Sequence, residues 1–377
     1  CEAGIVKALI VGGAGASGVL LAEGLAQRGY DVTILHRGNH EPPELAPYEH
    51  IHADPHFAEP VAQAIGARRW DVVLLTYGRV QALAPLFAQR CARLIAIGGM
   101  PIYPGYLDPK AEMPTGMPLL AQEDHPLANP ATMREPGAAK FVSKMLAAEQ
   151  AVLEQHRQGG YAATIFRYPS IYGPYSISLN EWSLIKRVQD GRGFVLLPNA
   201  GLGIITRCAA INAAFCVLSA LDHDAAKGEI FNCADEDQYT LRQWVELALS
   251  FVGASLELVA LPPQMNWVAA HWLPLGGSAS DHGLLDISKA KRLLGYKDQI
   301  AAKEAMARMI AWRLEHPPSE AEARNWPDAF DYAREDAVRN ALEGALQVLE
   351  PLRLSPEVVH AYPHPKTSGL STDHRGR

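Results

Sequence analysis

Lys7-Ala8-Leu9-Ile10-Val11-Gly12-Gly13-Ala14-Gly15-Ala16-Ser17-Gly18 is an apolar run that passes directly into a turn carrying glycines at 12, 15 and 18. Ala8–Val11 reads as a buried parallel strand, and Val19–Gln27 mixes apolar and small residues as a packed helix does. A strand, a glycine-rich turn and a helix in that order form a dinucleotide-docking unit. The glycines let the backbone approach a pyrophosphate, and the helix N-terminus supplies N–H donors and a favourable dipole. The spacing therefore predicts a cofactor loop at Gly12, Gly15, Ala16, Ser17 and Gly18. Glycine also serves ordinary tight turns, so the rest of the chain must carry the reading.

Working outward, residues 5–175 alternate short apolar strands with helical segments, the pattern of a doubly wound parallel sheet. Expected strands are Ala8–Val11, Asp31–Leu35, Val72–Thr76, Leu94–Ile97 and Ala163–Arg167, with helices over Val19–Arg28, Val61–Ala64, Val80–Ala92 and Gly137–Gln155. Beyond Tyr172, proline, tryptophan and loop segments mix with short helices. The fold class is α/β: a Rossmann domain over 1–175, a smaller substrate lobe over 176–318 interleaved with the last strands, and a helical extension with an exposed tail over 319–377. Within the C-terminal part, helices are expected over Ala301–Glu315 and Glu320–Leu352, and 355–377 as the tail.

Bulk properties exclude several classes. The 377 residues carry a mild net charge of −7 with no basic stripe, so nucleic acid is not an expected partner. Apolar runs such as Asn212–Leu221 are too short to cross a bilayer, and no charged-then-apolar segment precedes the first strand; a cytoplasmic location is expected. The five cysteines, at 1, 91, 208, 216 and 233, show no C-x-x-C and no metal spacing. They imply a reduced protein without structural zinc, and no metal site is expected. The oligomeric state stays open, a homodimer being one arrangement.

The G-x-x-G-x-x-G spacing resembles the extended short-chain dehydrogenase/reductase superfamily, which includes nucleotide-sugar epimerases, dehydratases and carbonyl reductases. Four further segments carry the resemblance: Glu123-Asp124-His125-Pro126-Leu127 before the active-site helix, and Arg167 to Pro174, similar to R-x-x-x-x-Y-G-P. Gly228-Glu229-Ile230-Phe231-Asn232 is similar to G-x-x-x-N, and Asp286 to Tyr296 to D-x-S-K-A-x-x-L-L-G-Y. Together they span residues 5 to about 315. The resemblance implies a nicotinamide cofactor and a small-molecule substrate.

The second strand ends in His36-Arg37-Gly38, without the carboxylate that NAD-selective enzymes place against the adenosine ribose. Arg37 there can pair with a 2′-phosphate, so NADP(H) is expected over NAD(H). The resemblance puts Asp54 at the adenine, a loop-capping role being the rival reading. Topology puts Thr76, Tyr77 and Gly78 at the ribose and nicotinamide, beside Gly98 and Tyr168 at neighbouring strand ends.

The superfamily's proton transfer uses a Ser/Thr, a tyrosine and a lysine in Y-x-x-x-K, whose i, i+4 spacing shares one helix face. This chain departs from it. If Lys144 is the motif lysine, Lys140 holds the tyrosine's place; if Glu149 sets the register, Phe141 and Met145 hold the two places. Counting back from Tyr103 puts Gly99 where the serine stands. Lys144, Lys140, Tyr103 and Tyr172 are the candidates for supplying the proton instead. Two readings stay open, catalysis with a non-standard centre or a fold that has lost it. Gly99, Tyr172, Asn180, Trp182 and Arg207 are the expected substrate-side residues, and Trp267 with Trp272 a candidate aromatic lid. The expected activity is reduction of a carbonyl or conjugated C=C; the alternatives are a nucleotide-sugar epimerase or dehydratase, and a non-catalytic NADP sensor.

Overall fold

A computed structural model describes residues 5–273 and 282–354, and the chain divides into a compact unit ending at Ala329 and a second beginning at Phe330. The first unit is built on β1 (Lys7–Val11), β2 (Asp31–His36), β3 (Glu49–His52), β4 (Trp70–Leu75), β5 (Cys91–Gly99) and β6 (Ala162–Tyr168). With the strand Glu229–Asn232 they form one seven-stranded sheet, ordered β3-β2-β1-β4-β5-β6 and then Glu229–Asn232. Every pairing is parallel. β1 lies between β2 and β4, so the strand order reverses there and opens a crevice at the carboxyl edge.

Both faces are covered, which is why β1 and β4 are continuous apolar runs rather than alternating ones. On one face α1 (Ala16–Gln27) packs with the helix Ala210–Ser219, through Leu21 and Leu25 against Ala213 and Val217. Gly24 permits that approach, since a Cβ there would lie 2.3 Å from Leu218 Cδ1. On the other face α2 (Ala58–Ile65), α3 (Val80–Leu83) and α4 (Pro136–Arg157) set Val61, Leu83 and Val152 against Leu9, Val73 and Leu94. Each such fully buried aliphatic side chain contributes about 1.5–3 kcal/mol.

The differences from expectation are local. The helix expected over 80–92 stops at Leu83 and tightens into a 3₁₀ turn at Ala84–Phe87, because Pro85 cannot donate within a helix. The edge strand β3 was not anticipated, since Glu-His-Ile-His has one apolar residue in four. The helix expected over 320–352 is two, Glu320–Arg324 and Tyr332–Leu349, with Pro327 in the break. The expected tail, 355–377, lies outside the described residues. No described helix is long and apolar enough to cross a membrane.

Candidate functional site

A cleft of about 870 Å³ opens at the crevice, walled on one side by the Gly12–Gly18 turn. The turn's glycines have different jobs. Gly12 has φ +104°, and a Cβ there would lie 2.5 Å from Thr76 Oγ1. Thr76 Oγ1 accepts from Gly13 N at 3.2 Å and donates to Val11 O at 2.9 Å, clipping the turn to the end of β4. A Cβ on Gly18 would lie 2.1 Å from Gly13 O. At Gly15 nothing stands within 4 Å, so its open side is the cleft. α1 begins at Ala16 with no side-chain cap and no acidic residue in its first turn. Its first N–H groups are thus left for an anion, which the helix dipole also favours.

Arg37, Thr76 and Tyr77 line the same cleft with Ala16 and Ser17. Arg37 is exposed and makes no hydrogen bond or ion pair among the described residues. Asp54 does not line the cleft. It accepts from His56 N at 2.9 Å and lies 2.8 Å from His56 Nδ1, the loop-capping alternative, and these bonds hold its carboxyl below the usual range. Gly78 is a packing glycine with φ +103°, where a Cβ would stand 2.6 Å from Pro55 O.

The opposite wall was missed by sequence reasoning. Trp312 and His316, from the helix Ala302–Glu315, stack at 4.7 Å, and Tyr175 lies 5.3 Å from Trp312. Tyr175 adopts φ +62°, a strained setting for an aromatic residue, and its hydroxyl donates to Glu44 at 2.9 Å. Nothing local joins residue 312 to a turn 300 positions earlier; only the fold brings them together.

The orientation of α4 is set by a buried charge network. Arg167, on β6 and 1% exposed, donates from Nε and Nη2 to the two carboxylate oxygens of Glu149 at 3.0 and 2.9 Å. Its Nη1 donates to Tyr103 Oη at 2.9 Å and to Glu123 O at 3.0 Å, and Tyr103 donates to Asn232 Oδ1 at 2.6 Å. With Glu149 turned inward, Met145, one turn before it, faces the end of β5. A Cβ on Gly98 would lie 3.2 Å from Glu149 Oε1, and one on Gly99 3.2 Å from Met145 Cε. Met145 thus stands against Gly99, and Phe141, one turn before it, is 44% exposed. Lys140 and Lys144 lie on exposed positions of the helix without ion pairs among the described residues.

The two candidate tyrosines correct an expectation: neither faces the cleft. Tyr103 is buried in the Arg167 network, its phenol pushed up by burial. Tyr172 is buried, donating to Asp235 Oδ2 at 2.7 Å, and burial and then Asp235 raise its phenol. Tyr168 pairs in register with Gly99 at the end of β6 and packs on the sheet core, where burial holds its phenol well above the usual range.

No protein-family model matches the chain. An uncharacterized protein, y4nL, of Sinorhizobium fredii (strain NBRC 101917 / NGR234) is 26% identical over 206 residues, 49% of this chain and 56% of that protein. The chain thus spans a little over half the length of that relative. Among solved structures, UDP-glucose 4-epimerase of Thermotoga maritima superimposes with TM-score 0.65 at 15% identity, covering 82% of this chain and 99% of that one. dTDP-glucose 4,6-dehydratase of Bacillus anthracis, in complex with NAD, gives 0.65 at 14% over 83% and 97%. UDP-glucuronic acid 4-epimerase of Bacillus cereus gives 0.62 at 16% over 82% and 99%. The chain shares the fold of these nucleotide-sugar epimerases and dehydratases.

Within that fold, the motifs that carried the resemblance are joints of the frame. Asn232 donates from Nδ2 to Ala121 O and Asp286 O at 2.8 and 3.0 Å, joining the last strand to two loops. Asp235 accepts from Tyr172 and from Asn212 Nδ2 at 2.7 Å, and Tyr296 donates to Ala234 O at 2.9 Å. The expected substrate-side residues are distributed differently. Arg207 is buried, its guanidinium 4.4 Å from the ring of Trp244. Asn180 and Trp182 are half-buried on the helix Asn180–Gln189, where Glu181 points inward and accepts from Trp244 Nε1 at 3.0 Å. None of these lines the 870 Å³ cleft, and neither does Trp267, exposed, nor Trp272, buried.

Proposed function

We propose that this chain binds NADP(H) in the cleft and reduces a small, neutral conjugated C=C or carbonyl substrate, with the product's proton drawn from solvent. The observation that carries this reading is the open glycine turn with the uncapped start of α1 lining the cleft, together with Met145 rather than a polar group at Gly99. On this reading Gly99, Met145 and Phe141 would hold the places where the superfamily carries a Ser/Thr hydroxyl, a lysine and a tyrosine, with Met145 packed at Gly99. Epimerase and dehydratase reactions begin by removing a proton from a sugar hydroxyl and require a positioned base. Hydride transfer to an activated carbon requires orientation and charge stabilisation more than a protein acid.

The residues present fit the cofactor. The turn and the first N–H groups of α1 would hold the pyrophosphate, and Arg37 would pair with the 2′-phosphate. Glu322 is the carboxylate among the cleft-lining residues; it accepts from Ser319 N at 2.8 Å and Ser319 Oγ at 2.7 Å. When bound, the nicotinamide supplies the hydride. The apolar Phe141–Met145 face would exclude water from its reacting side.

The test is titration with NADPH, NADP⁺ and NADH followed by a panel of ketones, enones and imines, with UDP- and dTDP-sugars alongside. NADPH-selective binding with oxidation by enones supports the reading, and turnover of a nucleotide sugar overturns it. Phe141→Tyr combined with Met145→Lys should raise ketone reduction more than enone reduction, since ketones gain most from an acid. A second reading, a non-catalytic NADP sensor, rests on the same apolar face. Tight NADPH binding with no turnover, and a partner protein retained on purification, would favour it.

A further inference from the structure

β2 and β3 end in a histidine cluster that neither the cofactor turn nor the Arg167 network uses. His36 closes β2, and His50 and His52 lie on β3. The register pairs His36 with His52 and Ile34 with His50. Residues two apart on a strand share a face, so His50 and His52 stand side by side opposite His36. Glu41 reaches the same point from the connecting loop. One ligand atom from each of the four lies within 4.8 Å of all the others. His36 Nε2 is 2.7 Å from His50 Nδ1 and 3.5 Å from Glu41 Oε1, and His52 Nε2 is 3.0 Å from the same Glu41 oxygen.

We propose that His36, His50, His52 and Glu41 form a binding site for a divalent transition-metal ion of the zinc class. Zinc held at 2.0–2.1 Å by four tetrahedral ligands needs them about 3.3–3.5 Å apart, within the range these atoms already span. Three imidazoles and one carboxylate suit zinc, cobalt or nickel; calcium and magnesium would require an all-oxygen set. The proton assignment is favourable at His50, whose Nε2 lies 2.9 Å from Leu45 O and therefore carries the hydrogen. Its Nδ1 lone pair is thus aimed into the cluster, the arrangement in which a backbone carbonyl orients a metal-binding histidine. His36 is 6% exposed while His52 and Glu41 are exposed, so one wall is rigid and the other can adjust and admit the ion.

The carboxylate decides between a cation and an anion. A phosphate facing three imidazoles would meet Glu41 at the centre of the group. A cation gains from it and replaces the proton now lying between His36 and His50. Binding through His36 Nε2 moves that ring's hydrogen to Nδ1 and so forfeits the bond from Gly38 N, already long at 3.2 Å. The loss is small beside four metal–ligand bonds. The ion would pin the 37–49 loop across the strand edge, next to the cleft wall that carries Arg37.

The experiment is calorimetric titration of chelator-treated, tag-free full chain with Zn²⁺, and with Co²⁺ followed by its visible absorption. One equivalent should bind, with the intense band of tetrahedral cobalt and a raised unfolding temperature. Glu41→Gln should weaken binding about tenfold or more, and His50→Ala with His52→Ala should abolish it. His125→Ala with His282→Ala should leave it unchanged, those rings being engaged with the N–H groups of Gln122 and Ile204. Failure of Zn²⁺ and Co²⁺ to bind at one equivalent overturns the proposal. So does an affinity that survives both the Glu41 and the His50/His52 changes, since the metal would then lie elsewhere. Because Glu41 is an exposed loop residue, its variant keeps the test decisive if the histidine pair fails to fold.

Discussion

Two ends of one sheet edge can be compared directly. At β1, backbone conformation does the work: positive φ at Gly12, a Cβ-free Gly18 and an open Gly15 shape one wall of the cleft. At β5, side-chain packing does the work: Met145 of α4 stands against Gly99, and Glu149 against Gly98. A buried salt bridge between Arg167 and Glu149 holds α4 against β5 whatever residues stand at 141 and 145. The two ends are thus held by different means. The first is shaped by glycines and a helix terminus, the second by a buried ion pair.

The comparison can be broken or sharpened at four points. Glu149→Ala should have the largest effect, leaving the Arg167 guanidinium buried without its partner; a loss of about 3–5 kcal/mol is expected by urea denaturation. A loss under 1 kcal/mol would mean that the salt bridge does not hold α4. Gly15→Val should weaken NADPH by about a hundredfold, near 2.7 kcal/mol, with the unfolding midpoint unchanged, because the new side chain enters the cleft and meets no protein atom. A loss of stability there instead would erase the distinction drawn between Gly15 and its neighbours Gly12 and Gly18.

Arg37→Ala should weaken NADPH by about 10–100-fold, the worth of a charge-assisted contact, and alter NADH less than about twofold. Equal losses for both would remove Arg37 from the 2′-phosphate. The smallest effect is expected from Lys140→Ala and Lys144→Ala. Both side chains lie off the face that Glu149 turns inward, so turnover and NADPH affinity should stay within about twofold. A large drop from Lys144→Ala would restore it as the proton donor.

Much of the fold was legible because it rests on local regularities. The apolar run 8–11, the three glycines, and the strands at 31, 72, 94 and 163 all lie within two or three residues of their observed limits. Misreadings occurred where a single residue overrode a periodic pattern, as Pro85 does to the helix after Val80. β3 escaped notice because an edge strand needs little apolar character, and the metal cluster with it, although His50-x-His52 was visible as a pair on one face. Asp54 shows the opposite limit, since a residue in the expected place can be engaged by a neighbour, here His56.

By itself the sequence determined the doubly wound sheet, its glycine turn and the lack of Y-x-x-x-K in the helix Pro136–Arg157, because strand and turn preferences act over neighbouring residues. Only the tertiary structure decided which face of α4 turns to β5. That choice depends on Glu149 finding Arg167 across 18 residues of chain, a pairing whose strength comes from burial rather than spacing. The same is true of Trp312 reaching the glycine turn and of His36 meeting His50 and His52. Such contacts exist once the sheet has closed, because parallel pairing brings strand ends together that the chain itself keeps apart.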